Sequence, residues 1–176
     1  MRKASFPPVV GPATRVLILG SLPGEVSLAQ RQYYGHPRNQ FWRLVGEVIG
    51  AAELPELGYS DRLDALAAAG IGLWDVIASA VRPGSLDGAI RDHETNALDA
   101  LVARLPTLRA IAFNGGTAAT HGRRALGPRF TADPPAPELI TLPSSSAAYT
   151  LAFAEKARRW RLLVDYLGAA APTTSR

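Results

Sequence analysis

The chain contains no cysteine, which excludes disulfide bonds, thiolate-bound zinc, iron–sulfur clusters and a cysteine nucleophile. Lysine occurs only at Lys3 and Lys156, so arginine carries most of the positive charge. The 3 histidines are scattered without the spacing of metal ligands, and no metal site is predicted. No apolar run is long enough to span a bilayer, and the first residues lack the apolar core of a signal peptide. We therefore expect a cytoplasmic protein without a membrane anchor.

The 176 residues are enough for one domain with a substantial core, which we place at residues 1–168. The tail, residues 169–176, is expected to be disordered. With 47% hydrophobic and 19% charged residues, the composition is typical of a globular protein. The net charge of +4 is too small to establish nucleic-acid binding. The excess of arginine suits phosphate contacts, but it fits the codon bias of a GC-rich genome equally well.

Apolar runs of strand length alternate with helical patterns along the chain. Strands are predicted at Val16–Leu19, Ile71–Val76, Ala110–Phe113 and Leu139–Leu142. Helices are predicted at Gln40–Gly50, Asp61–Ala69, Asn96–Leu105, Thr117–Leu126 and Ala148–Leu167. The last helix is expected to bury Val164 and to carry Lys156 on its polar side, and a proline-rich loop is expected at 133–137. This alternation predicts an α/β fold, a parallel sheet with helices on both faces.

The ends of the four predicted strands indicate where a site would lie. In open parallel sheets, ligands bind in the crevice outside the carboxyl ends of the strands. Those ends carry small or polar residues here, namely Gly20-Ser21, Asp75, Asn114 and Pro143–Ser146. The sequence therefore predicts a binding site at this edge of the sheet.

The connection from Gly20 to Trp42 reads GSLPGEVSLAQRQYYGHPRNQFW and shows no apolar period of its own. Long connections that follow a strand are often functional. Its aromatic rings, cations and amides together suit a planar polar ring on an anionic backbone. Tyr33 and Tyr34 are either core aromatics or a surface on which a base stacks. His36 precedes a proline, so its backbone is extended, and alone it does not indicate catalysis.

Two asparagines each allow two interpretations. Asn39 precedes an apolar helix and could cap it, or its amide could hold a water and stabilise a developing positive centre. Asn114 ends a strand before Gly115-Gly116 and could be a turn residue. Its amide also offers both a donor and an acceptor, which would match the imide-like edge of uracil or hypoxanthine.

Two polar loops also remain ambiguous. The serines at 144–146 could cap the final helix or bind a phosphate, but no nucleophile-elbow pattern surrounds them. Arg82, Ser85 and Asp87, in RPGSLDG, could contact DNA or only form a turn.

Five motifs in order carry a family resemblance: GSLPG, YYGHPRNQFW, LWDV, FNGG and LPSSS. The chain resembles the uracil-DNA glycosylase superfamily, above all its hypoxanthine-DNA (deoxyinosine) glycosylase branch, with the mismatch-specific uracil/thymine-DNA glycosylases as near relatives. The resemblance covers residues 16–160, and YYGHPRNQFW is its specific part. It implies a three-layer α/β/α sandwich around a central, mainly parallel four-stranded sheet. It also implies base excision from DNA without a metal or cofactor.

By position, the resemblance assigns roles to individual residues. Asn39 corresponds to the catalytic amide, Tyr34 to the aromatic that stacks on the extruded base, and Asn114 to the reader of its polar edge. The implied base-binding residues are Tyr34, Asn114, Gly20, Ser21, Leu22 and Pro23. The implied DNA contacts are Ser144, Ser145, Ser146, Tyr149, Arg38 and His36. Tyr149 lies near the position at which the family inserts a wedge into the base stack.

Two leucines depart from the family pattern. Leu22 replaces a polar residue of the first motif, and Leu142 stands where many members have histidine, so both changes shift the catalytic demand toward Asn39. The sequence predicts a monomeric, monofunctional DNA glycosylase that removes hypoxanthine or uracil, with no lysine in the motifs for a lyase step. The alternatives are a catalytically weak or inactive damage-binding module of the same fold and a hydrolase or phosphatase of free nucleotides.

Overall fold

Four parallel strands form the central sheet of the computed structural model, which describes residues 1–131 and 136–168. The strands in these ranges are Arg2–Ala4 (β1), Val16–Gly20 (β2), Ile71–Asp75 (β3), Ile77–Val81 (β4), Arg91–Thr95 (β5), Ala110–Asn114 (β6) and Glu138–Leu142 (β7). The central sheet has the order β3-β2-β6-β7, and all its pairs are parallel. The prediction of a mainly parallel four-stranded sheet is confirmed.

Helices cover both faces of this sheet. The α-helices are Glu25–Gln30 (α1), Phe41–Ile49 (α2), Tyr59–Ala69 (α3), Leu98–Val102 (α4), Gly116–Leu126 (α5), Phe153–Trp160 (α6) and Val164–Leu167 (α7). Short 3-10 helices lie at Leu54–Glu56, Asp87–Ala89, Pro128–Thr131 and Arg161–Leu163.

Alternation of side chains along β2 divides the core into two layers. Val16 and Ile18 pack with α2, α3 and α6 on one face, and Leu17 and Leu19 pack with α4 and α5 on the other. All four of these side chains are fully buried. Because successive strand residues point to opposite faces, a strand covered on both sides reads as an unbroken apolar run. The three-layer architecture follows directly from that run.

A second, antiparallel sheet was not predicted. Strand β4 pairs with β1 and β5, and it follows β3 after a single residue, Val76. The backbone N–H groups of Val76 and Ile77 donate to the carbonyl oxygens of Gly20 and Ser21. The chain therefore leaves the central sheet beside the end of β2, and it carries the following polar loop to the same edge.

The prediction for the final helix was wrong in its first residue and in the set of residues that face the core. The helix α6 begins at Phe153 rather than at Ala148, and a 3-10 turn follows it. Because a 3-10 turn has fewer residues than an α-turn, the buried stripe shifts, so that Leu163 is buried and Val164 is 46% exposed. Lys156, predicted on the polar side, is buried.

The remaining differences concern the helix predicted at Asn96–Leu105, the connection after β2, and two predicted segments near the C-terminus. The helix predicted at Asn96–Leu105 extends only from Leu98 to Val102, because hydrogen bonds of the 3-10 type tighten the chain at Arg104 and Leu105. The connection after β2 contains α1, which is too short to show an apolar period. The predicted tail, 169–176, and most of the predicted proline-rich loop lie outside the described residues.

Candidate active site

A cavity of about 520 Å³ opens at the carboxyl ends of the central strands, within the range of small-molecule sites. Every site residue predicted from the sequence contributes to its wall: Gly20, Ser21, Leu22, Pro23, Tyr34, His36, Arg38, Asn39, Asn114, Ser144, Ser145, Ser146 and Tyr149. The GSLPG, LPSSS and YYGHPRN segments therefore meet in one place. Their individual roles stay predictions.

The floor of the cavity is formed where β2 and β3 end side by side. Gly20 pairs in register with Asp75. A Cβ atom at Gly20 would lie 2.7 Å from Asp75 Oδ1 and 2.9 Å from the Tyr34 hydroxyl oxygen. Real Cβ atoms essentially never come this close to other heavy atoms, so the glycine lets the carboxyl and the phenol approach the backbone.

Tyr34 lies against the aromatic core on one side and contributes to the cavity wall. Its ring stacks on Phe41, with centroids 3.8 Å apart and planes inclined by 15°. Its backbone has a φ of 54°, an uncommon left-handed conformation for a residue other than glycine. Tyr33 is a core residue, 3% exposed, whose hydroxyl donates to the carbonyl of Pro7. Tyr33 is therefore a core aromatic, whereas stacking of a base on Tyr34 stays a prediction.

Asn39 lies directly before Gln40, the N-cap of α2, and its side chain caps the N–H of the first helical residue. Its Oδ1 accepts a hydrogen bond of 2.9 Å from the backbone N–H of Phe41. Among the described residues, this is the only hydrogen bond of the Asn39 side chain. An amide oxygen has two lone pairs, so the cap leaves one lone pair and both amide hydrogens for a ligand. The capping bond also fixes the orientation of the amide at the cavity wall.

Asn114 is buried, and its amide is bonded twice to Ser145. The Nδ2 group donates to Ser145 Oγ at 2.8 Å, and Oδ1 accepts from the Ser145 backbone N–H at 2.9 Å. One amide hydrogen and one lone pair remain, which preserves a donor and an acceptor for a ligand. Asn114 is thus a fixed polar group and more than a turn residue.

The serine segment has a different arrangement from the predicted one. Ser145 is 1% exposed, so its hydroxyl faces Asn114 and not solvent, which argues against a direct phosphate contact for that group. None of the three serines caps the final helix, because α6 begins at Phe153 after the cap Ala152. Tyr149 is 45% exposed beside the cavity, as a surface wedge would require.

Buried Lys156 connects the serine segment to the start of α2. Its ammonium donates to Ser146 O and to Gln40 Oε1, each at 3.0 Å. The backbone N–H of Gln40 also donates to Ser145 O. Burial lowers the pKa of Lys156. The cation therefore joins two site segments that are distant in sequence, and nothing in the sequence pattern indicated this role.

Arg82 is another buried cation, and its hydrogen bonds hold the backbone of Leu22 and Pro23 in the GSLPG motif. Its guanidinium, 1% exposed as a residue, donates to the carbonyl oxygens of Leu22, Pro23 and Gly84. The Asp87 carboxylate lies 3.9 Å away and accepts a 2.6 Å hydrogen bond from Ser21 Oγ. The loop predicted either to contact DNA or to form a turn thus uses Arg82 to hold Leu22 and Pro23 in place.

Asp75 is the group at this site for which sequence reasoning gave no role. It is 3% exposed and lines the cavity, and its Oδ2 has no hydrogen-bond partner within the described protein. Burial, with a contribution from Asp87, raises its pKa from 3.8 to about 7, against the opposing effect of Arg82. Its position at a strand end placed it at the predicted site, but the sequence did not indicate what it does there.

The outer rim is polar and exposed. His36 and Arg38 are exposed at the cavity mouth, and His36 Nδ1 accepts a hydrogen bond from the backbone N–H of Arg38.

In the two ranges that the structure covers, no group of three or more His, Asp or Glu side chains could hold a metal ion. None of the helices in those ranges is long and apolar enough to cross a membrane.

Comparison with known families and proteins gives consistent matches. The model of the family described as the uracil DNA glycosylase superfamily matches residues 7–167. A hypoxanthine DNA glycosylase of Methanosarcina barkeri is 49% identical over 115 residues, which is 65% of this chain and 72% of that protein. One from Methanosarcina acetivorans is 43% identical over 148 residues, covering 84% of this chain and 89% of the relative.

A solved structure shares the fold. The solution NMR structure of a Methanosarcina acetivorans protein, described as a candidate uracil DNA glycosylase, superposes with a TM-score of 0.81 at 40% identity. The superposition covers 95% of this chain and 99% of the other. The agreement therefore extends over nearly the whole chain and not only over its motifs.

Proposed function

Because this chain belongs to the uracil DNA glycosylase superfamily and is a DNA glycosylase that acts on deaminated bases, we propose that its main lesion is hypoxanthine. Two relatives that carry the name hypoxanthine DNA glycosylase support this choice, at 49% and 43% identity. Uracil is the second candidate base. Extrusion of the base from the helix, action as a monomer and a cytoplasmic location remain predictions.

The observation that carries the proposal is the meeting of Asn39, Asn114 and Tyr34 at one cavity. Tyr34 would offer a ring already stacked on Phe41, and Asn114 would offer one donor and one acceptor to the polar edge of the base. An enzyme of this class reaches the bond only after the base leaves the stack, at a cost of a few kcal/mol that is smallest at a mispair. These groups would recover part of that cost.

Asn39 is the proposed catalytic residue. As the bond between C1′ and the base nitrogen breaks, positive charge develops on the sugar, and the free lone pair of Oδ1 would stabilise it or hold the attacking water. The Phe41 N–H fixes that oxygen before the substrate arrives, so little reorganisation is needed. The two departures from the family pattern, Leu22 and Leu142, are consistent with this assignment. Both side chains are buried and apolar, so neither offers a polar group to the reaction.

Two substitutions at Asn39 separate capping from catalysis. Serine caps helices about as well as asparagine, whereas alanine costs about 1 kcal/mol at such a position. We expect Asn39→Ser to fold with wild-type stability and Asn39→Ala to be slightly less stable, and we expect both to lose excision. The measurement is alkali-induced cleavage of duplexes that contain one hypoxanthine, uracil, xanthine or mismatched thymine.

The lesion panel and the two variants give separate answers. If the wild type excises hypoxanthine faster than the other three bases, hypoxanthine is supported as the main lesion. If it excises another base faster, that base is the main lesion instead. If Asn39→Ser excised at the wild-type rate, Asn39 would be only a helix cap. Wild-type protein that produced no abasic sites at all, while still binding the lesion duplex, would favour the damage-binding alternative.

A further inference from the structure

Asp75 combines a position in the substrate cavity with a carboxyl that the rest of the protein does not use. Its residue is 3% exposed, and Oδ2 accepts no hydrogen bond from the described chain. The Tyr34 hydroxyl is also buried and unpartnered there. Both groups flank the Cα atom of Gly20, at the cavity floor. Buried polar atoms are nearly always paired, so two orphans in a cavity wall indicate groups that a ligand satisfies.

The surroundings of Asp75 favour a neutral carboxyl. The charged and titratable groups that face it are Asp87, Arg82, Tyr34 and Tyr33. Asp87 raises its pKa and Arg82 lowers it, but burial is the largest effect and places the pKa at about 7. Burial also keeps the two tyrosines protonated, since the pKa of each is raised. The Asn114 amide partly offsets this rise for Tyr34, although the two groups do not form a hydrogen bond of good geometry.

A protonated carboxyl can donate a hydrogen bond, which a carboxylate cannot do. Hypoxanthine offers acceptors at its carbonyl oxygen and two ring nitrogens, and uracil offers two carbonyl oxygens. When the glycosidic bond breaks, its electron pair stays on the base, and these acceptors become more negative. A donor at the cavity floor would therefore bind the transition state more tightly than the ground state, and that difference accelerates the reaction.

We propose that Asp75 is a further catalytic residue, whose neutral carboxyl donates a hydrogen bond to an acceptor atom of the extruded base and stabilises that base as it departs. The inference rests on the proposed function. The C1′–nitrogen bond breaks, the oxygen of water adds to C1′, and the proton that water loses reaches the base through solvent. Asp75 retains its own proton throughout. It thus compensates, from a different strand, for the apolar side chain of Leu142.

The test uses single-turnover excision of hypoxanthine from a duplex, measured from pH 5 to pH 9. The wild-type rate should fall about tenfold per pH unit above about 7, as Asp75 ionises. Asp75→Asn keeps a donor that does not titrate, so its rate should be independent of pH in this range. Asp75→Leu removes the donor, so its rate should be independent of pH and about 100-fold or more below the wild-type rate at pH 5. Exposed Asp99→Asn is the control and should follow the wild type.

Two further measurements distinguish catalysis from structure. Binding of a duplex that already holds an abasic site involves no base, so Asp75→Leu should bind it within about twofold of the wild type, whereas a merely structural role would weaken this binding too. Asp87→Asn should retain the decline, because it belongs to Asp75, but the decline should begin at a lower pH, since Asp87 contributes to the raised pKa of Asp75.

The inference is overturned if Asp75→Asn keeps the wild-type decline, or if Asp75→Leu excises at the wild-type rate. If Asp75→Leu does not fold, the pH profile of Asp75→Asn decides alone. These failures differ from failure of the proposed function, in which the wild-type protein itself releases no base.

Discussion

Replacing Asp75 with asparagine should remove a dependence of protein stability on pH. In the folded chain, burial raises the pKa of this carboxyl from 3.8 to about 7. At about 1.4 kcal/mol per pKa unit, ionising Asp75 costs about 4 kcal/mol more in the folded chain than in the unfolded chain. The asparagine side chain has a similar shape and does not ionise. The comparison therefore isolates the cost of burying the carboxylate.

The direction of this pH dependence follows from the protons that the folded and unfolded chains bind. Between about pH 4 and pH 7 the folded chain holds the Asp75 proton and the unfolded chain has lost it, so stability falls as the pH rises. We expect the free energy of unfolding of the wild type, relative to Asp75→Asn, to fall by about 2.5 kcal/mol between pH 5 and pH 8. Asp87 is present in both proteins, and its repulsion of the Asp75 carboxylate is part of the raised pKa that the comparison measures.

The assay is urea unfolding followed by tryptophan fluorescence at pH 5, 6, 7 and 8. Asp99→Asn, at an exposed carboxylate in the first turn of α4, should run parallel to the wild type. Parallel curves for the wild type and Asp75→Asn would refute the reasoning, because they would mean that the folded chain ionises Asp75 as readily as the unfolded chain. Since the assay contains no DNA, its result is independent of the catalytic role.

Two other substitutions probe how the site is built. Gly20→Ala would push its Cβ into Asp75 and Tyr34, so we expect a loss of about 1–3 kcal/mol in stability and a fall of about 100-fold in excision, whereas Gly11→Ala, whose Cβ meets nothing within 4 Å, should change neither. Lys156→Met leaves two partly buried oxygens without their donor and should cost about 1 kcal/mol in urea unfolding, with slower excision. A similar loss for exposed Arg158→Met would contradict that explanation.

The central sheet could be predicted from the sequence because its strands are covered on both faces. Such strands read as continuous apolar runs, as in Val16–Leu19 and Ala110–Phe113, and their alternation with helical patterns leaves few possible topologies. The second sheet could not be predicted in this way. The exposed strand Arg91–Thr95 carries no apolar alternation, and its pairing with β4 depends on contacts between distant segments.

The location of the site was also predictable, but its supporting contacts were not. Strand ends and motifs brought Asn39, Asn114 and Tyr34 to one cavity. Charged residues in a sequence are expected at the surface, whereas Lys156 and Arg82 are buried because carbonyl oxygens from separate segments satisfy them. Whether such hydrogen bonds form depends on the three-dimensional path of the backbone, which the apolar periodicity of a sequence does not show.

The two buried cations have a consequence for how the protein would meet a polyanion. Lys156 and Arg82 count toward the formal charge of +4, but neither can displace counterions from DNA, since each is 1% exposed. The slope of the binding constant against salt concentration reports only the phosphates that surface cations neutralise. Two of the positive charges thus act on the protein's own backbone, and the ionic-strength dependence of binding should be shallower than the composition implies.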